Sequence, residues 1–187
     1  MEVISLEIEA VKLIKLRRFD DGRGFFQQTY HEKQYQEAGI PSRFVQDNWS
    51  HSSKGVLRGL HYQLKNPQAK LVSVLRGEVF DVAVDIRRGS ATFGKWVGEV
   101  LSAENGCQLY VPEGFAHGFL VLSDTVDFLY KCSDFYTPGD EYGIRWDDPA
   151  LGIQWPVEVE PVLAEKDIEA PLLKDVSEGE LPVFFSA

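Results

Sequence analysis

Two side chains suited to chemistry lie three residues apart in Gly55-Val56-Leu57-Arg58-Gly59-Leu60-His61-Tyr62-Gln63, and a cation, Lys70, follows the polar bend Asn66-Pro67-Gln68. An arginine is charged at every working pH, and its planar fork matches a phosphate or a carboxylate. A histidine with an ordinary pKa near ~6.5 can take up a proton at neutrality. Strand-forming residues surround both. On a flat strand, Arg58 and His61 face opposite ways, because side chains alternate. Gly59 between them permits a bulge that re-aims one of the two. The stretch therefore reads either as a barrel strand with solvated charges or as the wall of a site.

A second constellation is Pro112-Glu113-Gly114-Phe115-Ala116-His117. Together with the Gly55 to His61 spacing it echoes the two motifs of the cupin barrel. A metal-binding cupin carries His-x-His and a following Glu in its first motif. Here Gln63 stands in place of the second His, and Asn66-Pro67-Gln68 falls where the Glu would be. Only His61 and His117 remain as ligands for a borderline metal, whereas a catalytic zinc or iron centre takes about three protein ligands. The pattern keeps the fold signal and degrades the metal signal, so no metal and no other cofactor is expected.

With 187 residues, 44% of them hydrophobic, the chain can bury a core as one domain spanning 1–187. A net charge of −10 argues against general binding to nucleic acid or an anionic membrane. It leaves room for an anionic small ligand, which a few local Arg and Lys residues can hold. The two cysteines, Cys107 and Cys132, lie in strand-like runs and read as buried thiols of a reducing compartment. The start, Met1-Glu2-Val3-Ile4-Ser5-Leu6-Glu7, has no secretory pattern, and no run nears the ~18 apolar residues that span a bilayer. A soluble cytoplasmic protein is expected.

The elements that must position these groups are short strands. Residues 11–18 suggest a strand, Asp20-Asp21-Gly22 a turn, and residues 24–30 an aromatic strand. Residues 31–38 are helix-compatible and stop at Gly39 and Pro41. Residues 44–50 form a strand and Ser52-Ser53-Lys54-Gly55 a turn, before the strand of Arg58 and His61. Residues 71–75 end at Arg76-Gly77, a hairpin signal. Residues 78–86 alternate, with Phe80, Val82, Val84 and Ile86 on one face and Asp81, Ala83 and Asp85 on the other. Aspartates so placed are either solvated or aimed into a polar cavity. Strands at 96–101, 108–111, 115–122 and 126–133 follow. Turn signals every ~8–12 residues indicate an all-β sandwich or barrel. From about residue 138 the chain is irregular and rich in Pro, Gly and acids, with one short helix after Glu165. The apolar end, residues 181–185, packs back or against a neighbour.

Several stretches, in order, are specific as a set: Asp21-Gly22-Arg23-Gly24-Phe25-Phe26, Gln46-Asp47-Asn48, Gly55 to Gln63, Lys70-Leu71-Val72 and Arg76-Gly77-Glu78-Val79-Phe80-Asp81-Val82. They continue with Pro112 to Phe119, Tyr130-Lys131, Asp148-Pro149 and Glu165-Lys166-Asp167. Over about residues 20–167 the chain resembles the dTDP-4-dehydrorhamnose 3,5-epimerase family of nucleotide-sugar epimerases. The resemblance implies a cupin-like double-stranded β-helix (jelly-roll) barrel with a few short peripheral helices. It implies a dTDP-linked 4-keto-6-deoxyhexose as substrate, inverted at C3 and C5 through an enolate, in dTDP-L-rhamnose biosynthesis. The rivals are a 3-epimerase or 3,4-ketoisomerase of a related nucleotide sugar, a metal-dependent cupin enzyme, and a non-catalytic binder.

The same resemblance assigns roles. His61 is the base, Asp167 orients it, Lys70 places charge beside the enolate oxygen, and Tyr130 is the acid on the opposite face. Arg23 and Arg58 contact the diphosphate, and Phe26 and Tyr136 stack on the base. Gln28, Gln46, Asp47, Asn48, His117, Glu141 and Lys166 match substrate-contact positions, with Asp81 a partner inside the barrel. Taken alone, the arginines read as solvated, the aromatics as core, and His117 as a hydrogen-bonded core histidine; His31 and His51 read as surface residues. The family implies a homodimer with exchanged N-terminal strands, in which Arg23 reaches the partner's site. One position departs: Gln28 stands where the family usually has Glu.

Overall fold

The computed structural model describes residues 1–40, 43–158 and 160–185. Its strands are β1 (Glu2–Ser5), β2 (Lys12–Lys15), β3 (Arg18–Asp21), β4 (Gly24–Gln27), β5 (Gln46–Ser53), β6 (Leu57–Gln63) and β7 (Lys70–Arg76). There follow β8 (Glu78–Asp85), β9 (Trp96–Ser102), β10 (Cys107–Val111), β11 (Phe115–Val121), β12 (Thr125–Cys132) and β13 (Glu141–Gly143). The α-helices α1 (Glu32–Glu37) and α2 (Glu165–Ile168) flank them. One sheet runs β1-β2-β10-β7-β12-β5 and a second β13-β6-β11-β8-β9, while β3 and β4, among the described residues, pair only with each other.

From β5 to β13 the chain changes sheet at nearly every connection, which is how a jelly roll closes on itself. The two large sheets share a core: Val72, Val74, Leu109 and Phe128 from one meet Val79, Ala83, Phe119 and Val121 from the other. The alternation of β8 is explained by this layering. Val79 and Ala83 turn inward, while Val82, Val84 and Ile86 turn outward under Leu151, Trp155, Leu173 and Leu181 of the C-terminal segment. Each fully buried side chain of this size contributes about 1.5–3 kcal/mol. On the far side of the six-stranded sheet, Tyr35 of α1 packs with Ile14, Leu71 and Tyr110.

The all-β reading holds, and the helix expected at 31–38 forms as α1. His31 caps it by accepting the Gln34 N–H on Nδ1 at 3.5 Å, and Gly39, at φ +83, ends it. Pro41, the other expected stop, lies outside the described residues. The Arg76-Gly77 hairpin is a correction: β7 and β8 belong to different sheets. Gly77 turns the chain at φ +81 across the sandwich, where a Cβ would run into the Thr125 carbonyl. A glycine turn looks the same locally whether it joins partners or crosses between sheets. The strand expected at 11–18 stops at Lys15; Arg18 begins β3 in a separate two-stranded sheet, and Asp20 and Asp21, expected in a turn, belong to that strand. The expected strand at 24–30 ends at Gln27, and Ser52 and Ser53 extend β5 rather than turn. Neither β1 nor β13 was anticipated; β13 is three residues long, and its Tyr142 stacks on Tyr62 with ring centroids 5.5 Å apart. Cys107 and Cys132 are buried free thiols, and His31 and His51 are exposed.

Candidate active site

The site begins with a slip in one ladder. Arg58 pairs with Phe119 and His61 with His117, so Gly59 and Leu60 of β6 together oppose Gly118 of β11. The extra residue cancels the alternation. Arg58 and His61 thereby come to one face, while Leu57, Leu60 and Tyr62 keep to the apolar layer under the C-terminal segment. Gly59 sits at φ +119, and a Cβ there would stand 2.5 Å from Gly118 Cα and 2.7 Å from the His117 carbonyl oxygen. No other residue fits both demands.

Between the sheets lies a cavity of about 370 Å³ walled by Arg58, His61, Lys70, His117, Tyr130, Lys166 and Asp167, among others. An adjoining one of about 290 Å³ shares His61, Lys70, Tyr130 and Glu141 and adds Gln46, Asn48 and Tyr136. His61 belongs to the five-stranded sheet, Lys70 and Tyr130 to the six-stranded one. Lys70 pairs with Cys132 and Tyr130 with Val72, two residues on, which puts Lys70 and Tyr130 on the same inward face.

His61 Nε2 is 2.5 Å from Asp167 Oδ1, and Asp167, brought in by α2, is only 3% exposed. The second carboxylate oxygen accepts the Gly59 N–H at 3.5 Å, tying the dyad to the bulge. Lys70 is half-buried, and loss of solvation holds its ammonium below the ordinary 10.5, with Cys132, Asp81 and Glu141 pulling the other way. Burial, then Cys132 and Glu141, push the Tyr130 phenol up to about 12, against the charge of Arg58. Beneath them, His117 Nε2 lies 2.9 and 3.0 Å from the two oxygens of buried Asp81. Burial raises the Asp81 pKa and His117 opposes it. Asp81 is thus the one of the two alternating aspartates aimed into the barrel. Asp85 is instead tied to Arg87, Ser90 and Thr92.

At the rim, Lys166 Nζ donates to Glu141 at 2.9 Å. Gln46 accepts the Tyr136 N–H at 2.9 Å and donates to Asn48 at 3.0 Å. The chain does not bring every expected residue to this cavity. Arg23 is 91% exposed and pairs with Asp21 at 2.6 Å on the β3–β4 hairpin. Phe26 is 67% exposed on the same hairpin, and Gln28 lies beside Leu16, Arg17 and Gln34. Asp47 alternates away from Gln46 and Asn48 and pairs with Lys131 at 2.9 Å on the outer face. The sequence reading missed Gly118 and Ser50, which line the cavity, and Ser52, which holds Arg58 by two hydrogen bonds. The serines continue the period-two row of Gln46 and Asn48 along β5, a signal present in the sequence.

Gln63, which replaces the cupin histidine, spends its amide on the backbone. Its Nε2 donates to the carbonyls of Asn66 and Phe135 at 2.7 and 3.2 Å, and its Oε1 accepts the Thr137 N–H at 2.9 Å. Among the described residues no group of three His, Cys, Asp or Glu is placed to hold a metal ion. Nor is any helix among them long and apolar enough to cross a membrane.

Known proteins match this chain over nearly its whole length. It is 54% identical over 176 residues to the dTDP-4-dehydrorhamnose 3,5-epimerase of Pseudomonas aeruginosa, covering 94% of this chain and 97% of that protein. It is 55% identical over 168 residues to the Neisseria gonorrhoeae protein of the same description, of which it spans about half the length (51%). The crystal structure of dTDP-6-deoxy-D-glucose-3,5-epimerase from Legionella pneumophila, in complex with dTDP-4-keto-L-rhamnose, superposes with a TM-score of 0.97 at 52% identity, covering 99% of each chain. The family described as dTDP-4-dehydrorhamnose 3,5-epimerase matches residues 5–175. Sequence and fold agree, and the chain belongs to the dTDP-4-dehydrorhamnose 3,5-epimerase family.

Proposed function

We propose that the chain converts dTDP-4-dehydro-6-deoxy-D-glucose to dTDP-4-dehydro-L-rhamnose, inverting C3 and C5 beside the 4-keto group. The observation that carries the reading is the placement of a half-buried imidazole, held by a buried carboxylate, on one sheet and a phenol with a lysine on the sheet facing it. Asp167 accepts from Nε2–H of His61, which leaves the lone pair on Nδ1 to take the proton from the sugar carbon. The electron pair left behind moves to the C4 oxygen, and the Lys70 ammonium stabilises the enolate. Tyr130 returns a proton from the other face, and the configuration inverts. Its phenol, held protonated by burial, keeps that proton until the enolate forms. Solvent then resets both groups, so the reaction is a net isomerisation. A positioned base contributes ~10²–10⁴ in rate and one preorganised donor ~10²–10³.

Arg58 holds the diphosphate, Tyr136 stacks on the thymine, and Gln46, Asn48, His117, Glu141 and Lys166 line the remaining contacts. Neither metal nor other cofactor is required; the satisfied amide of Gln63 supports this, and loss of activity on chelation would refute it. The protein acts as a homodimer. The β3–β4 hairpin leaves Phe19, Phe25 and Phe26 49%, 58% and 67% exposed, which suits a segment that serves a second copy. Arg23, Phe26 and Gln28 then complete the partner's site. We place the enzyme in the cytoplasm, where its two free thiols stay reduced.

Proton NMR of the 4-keto sugar in deuterated water tests the reaction. Deuterium should enter both C3 and C5 with inversion at each. Exchange at C3 alone would assign a 3-epimerase instead, and no exchange would end the epimerase reading.

A further inference from the structure

The charge of Arg58 is unspent, although its guanidinium is held. Several other arginines sit on a carboxylate: Arg18 on Asp20, Arg23 on Asp21, Arg76 on Asp127, Arg87 on Asp85, Arg145 on Asp147. Arg58 has no such pairing among the described residues. Its Nε and Nη2 instead donate to Ser52 Oγ at 3.2 and 3.1 Å. Ser52 is 5% exposed. It lies on β5 of the six-stranded sheet, whereas Arg58 rises from β6 of the five-stranded sheet. The contact therefore ties one sheet to the other through a residue that lines the cavity, Arg58.

A guanidinium has five N–H donors in one plane. A single hydroxyl oxygen holding two of them fixes the plane and leaves three for a ligand. A carboxylate in that place would fix the plane equally well but would neutralise the charge that an anion needs. We infer that Ser52 is a positioning residue for diphosphate binding: it aims Arg58 without discharging it. The inference rests on the reading of Arg58 as the diphosphate anchor.

The test measures binding of dTDP and of inorganic pyrophosphate by calorimetry, with steady-state kinetics beside it. Ser52→Ala should weaken both ligands and raise KM by about tenfold, the scale of one hydrogen bond to a charged group, with kcat changed less than about threefold. Ser52→Thr, which keeps the oxygen, should bind like the wild type. Ser52→Asp should bind more weakly than Ser52→Ala, because it orients and neutralises together. In an Arg58→Ala background, Ser52→Ala should add nothing, since nothing is left to aim. Ser53→Ala, on the exposed outer face of the same strand, is the control. If alanine prevents folding, Ser52→Cys, close in size but a weak acceptor, carries the same comparison. Unchanged affinity in Ser52→Ala would overturn the inference. So would an equal loss in the Arg58→Ala background, or tighter binding by Ser52→Asp than by Ser52→Ala. Wild-type protein that bound pyrophosphate but not dTDP would refute the nucleotide-sugar reading alone, and the pyrophosphate ratios would still decide the role of Ser52. Wild-type protein that bound neither would remove the anion site and the inference with it.

Discussion

Asp167→Asn isolates the charge of the dyad at nearly constant shape. The carboxylate now meets two donors, His61 Nε2 at 2.5 Å and the Gly59 N–H at 3.5 Å. An amide has one oxygen, so it can accept from one of them and must turn its NH₂ toward the other. If the NH₂ faces His61, Nε2 must carry the lone pair and Nδ1 the proton, and the base is blocked. If the oxygen faces His61, the tautomer survives but the forming imidazolium loses its counter-charge. With charge centres ~4 Å apart in a protein-like effective dielectric of ~20, that loss is about 4 kcal/mol. This corresponds to ~10³ in rate. His61 keeps 22% of its side chain exposed, so water recovers part of it, and we expect kcat to fall ~10²–10³-fold. The dissociation constant for dTDP should stay within about threefold, because neither group reaches the diphosphate. Stopped-time NMR of inversion and calorimetry on dTDP give the two numbers. A variant with kcat within about threefold of wild type, or one that lost dTDP binding while turning over normally, would refute the dyad as the proton-abstracting pair.

Tyr130→Phe should let deuterium enter the sugar with little inversion, because the base remains while the opposite-face acid is gone; inversion at the wild-type rate would exclude Tyr130 as that acid. Lys70→Met should lower kcat ~10²–10³-fold yet raise Tm at neutral pH. The sign follows from burial: the folded pKa lies below the ordinary 10.5, so the unfolded chain binds the proton more readily, and the penalty is full at low pH. The gap in Tm should therefore narrow as pH rises toward 10.5, and melting curves from pH 7 to 10 would show a constant gap if the reasoning fails. Gln28→Glu restores the usual family residue on the segment after the exposed hairpin; it should move KM or the choice between thymidine- and uridine-linked sugars, with kcat changed less than about threefold. A large fall in kcat at unchanged KM would place Gln28 in the chemistry.

Much of this protein was legible in its linear order, because alternation, glycine turns and helix stops are local. The two faces of β8, the short helix closed by Gly39 and the all-β class follow from neighbours in the chain. Gly59 between Arg58 and His61 raised the bulge as a possibility, since only a local irregularity could bring side chains three apart to one face. The motif residues supplied candidates for base, acid and anchor. What alternation cannot decide is which distant segment a face meets. Sheet membership settled that: it turned Arg76-Gly77 from a hairpin into a crossing and set His61 across a cavity from Lys70 and Tyr130. It sent Asp47 outward while Gln46 and Asn48 went in. The partner of His61 lies 106 residues further along, and no spacing rule reaches that far. The burial that lowers the Lys70 pKa and raises that of Tyr130 likewise exists only when the two sheets close, because desolvation belongs to the packed interior and not to any stretch of chain.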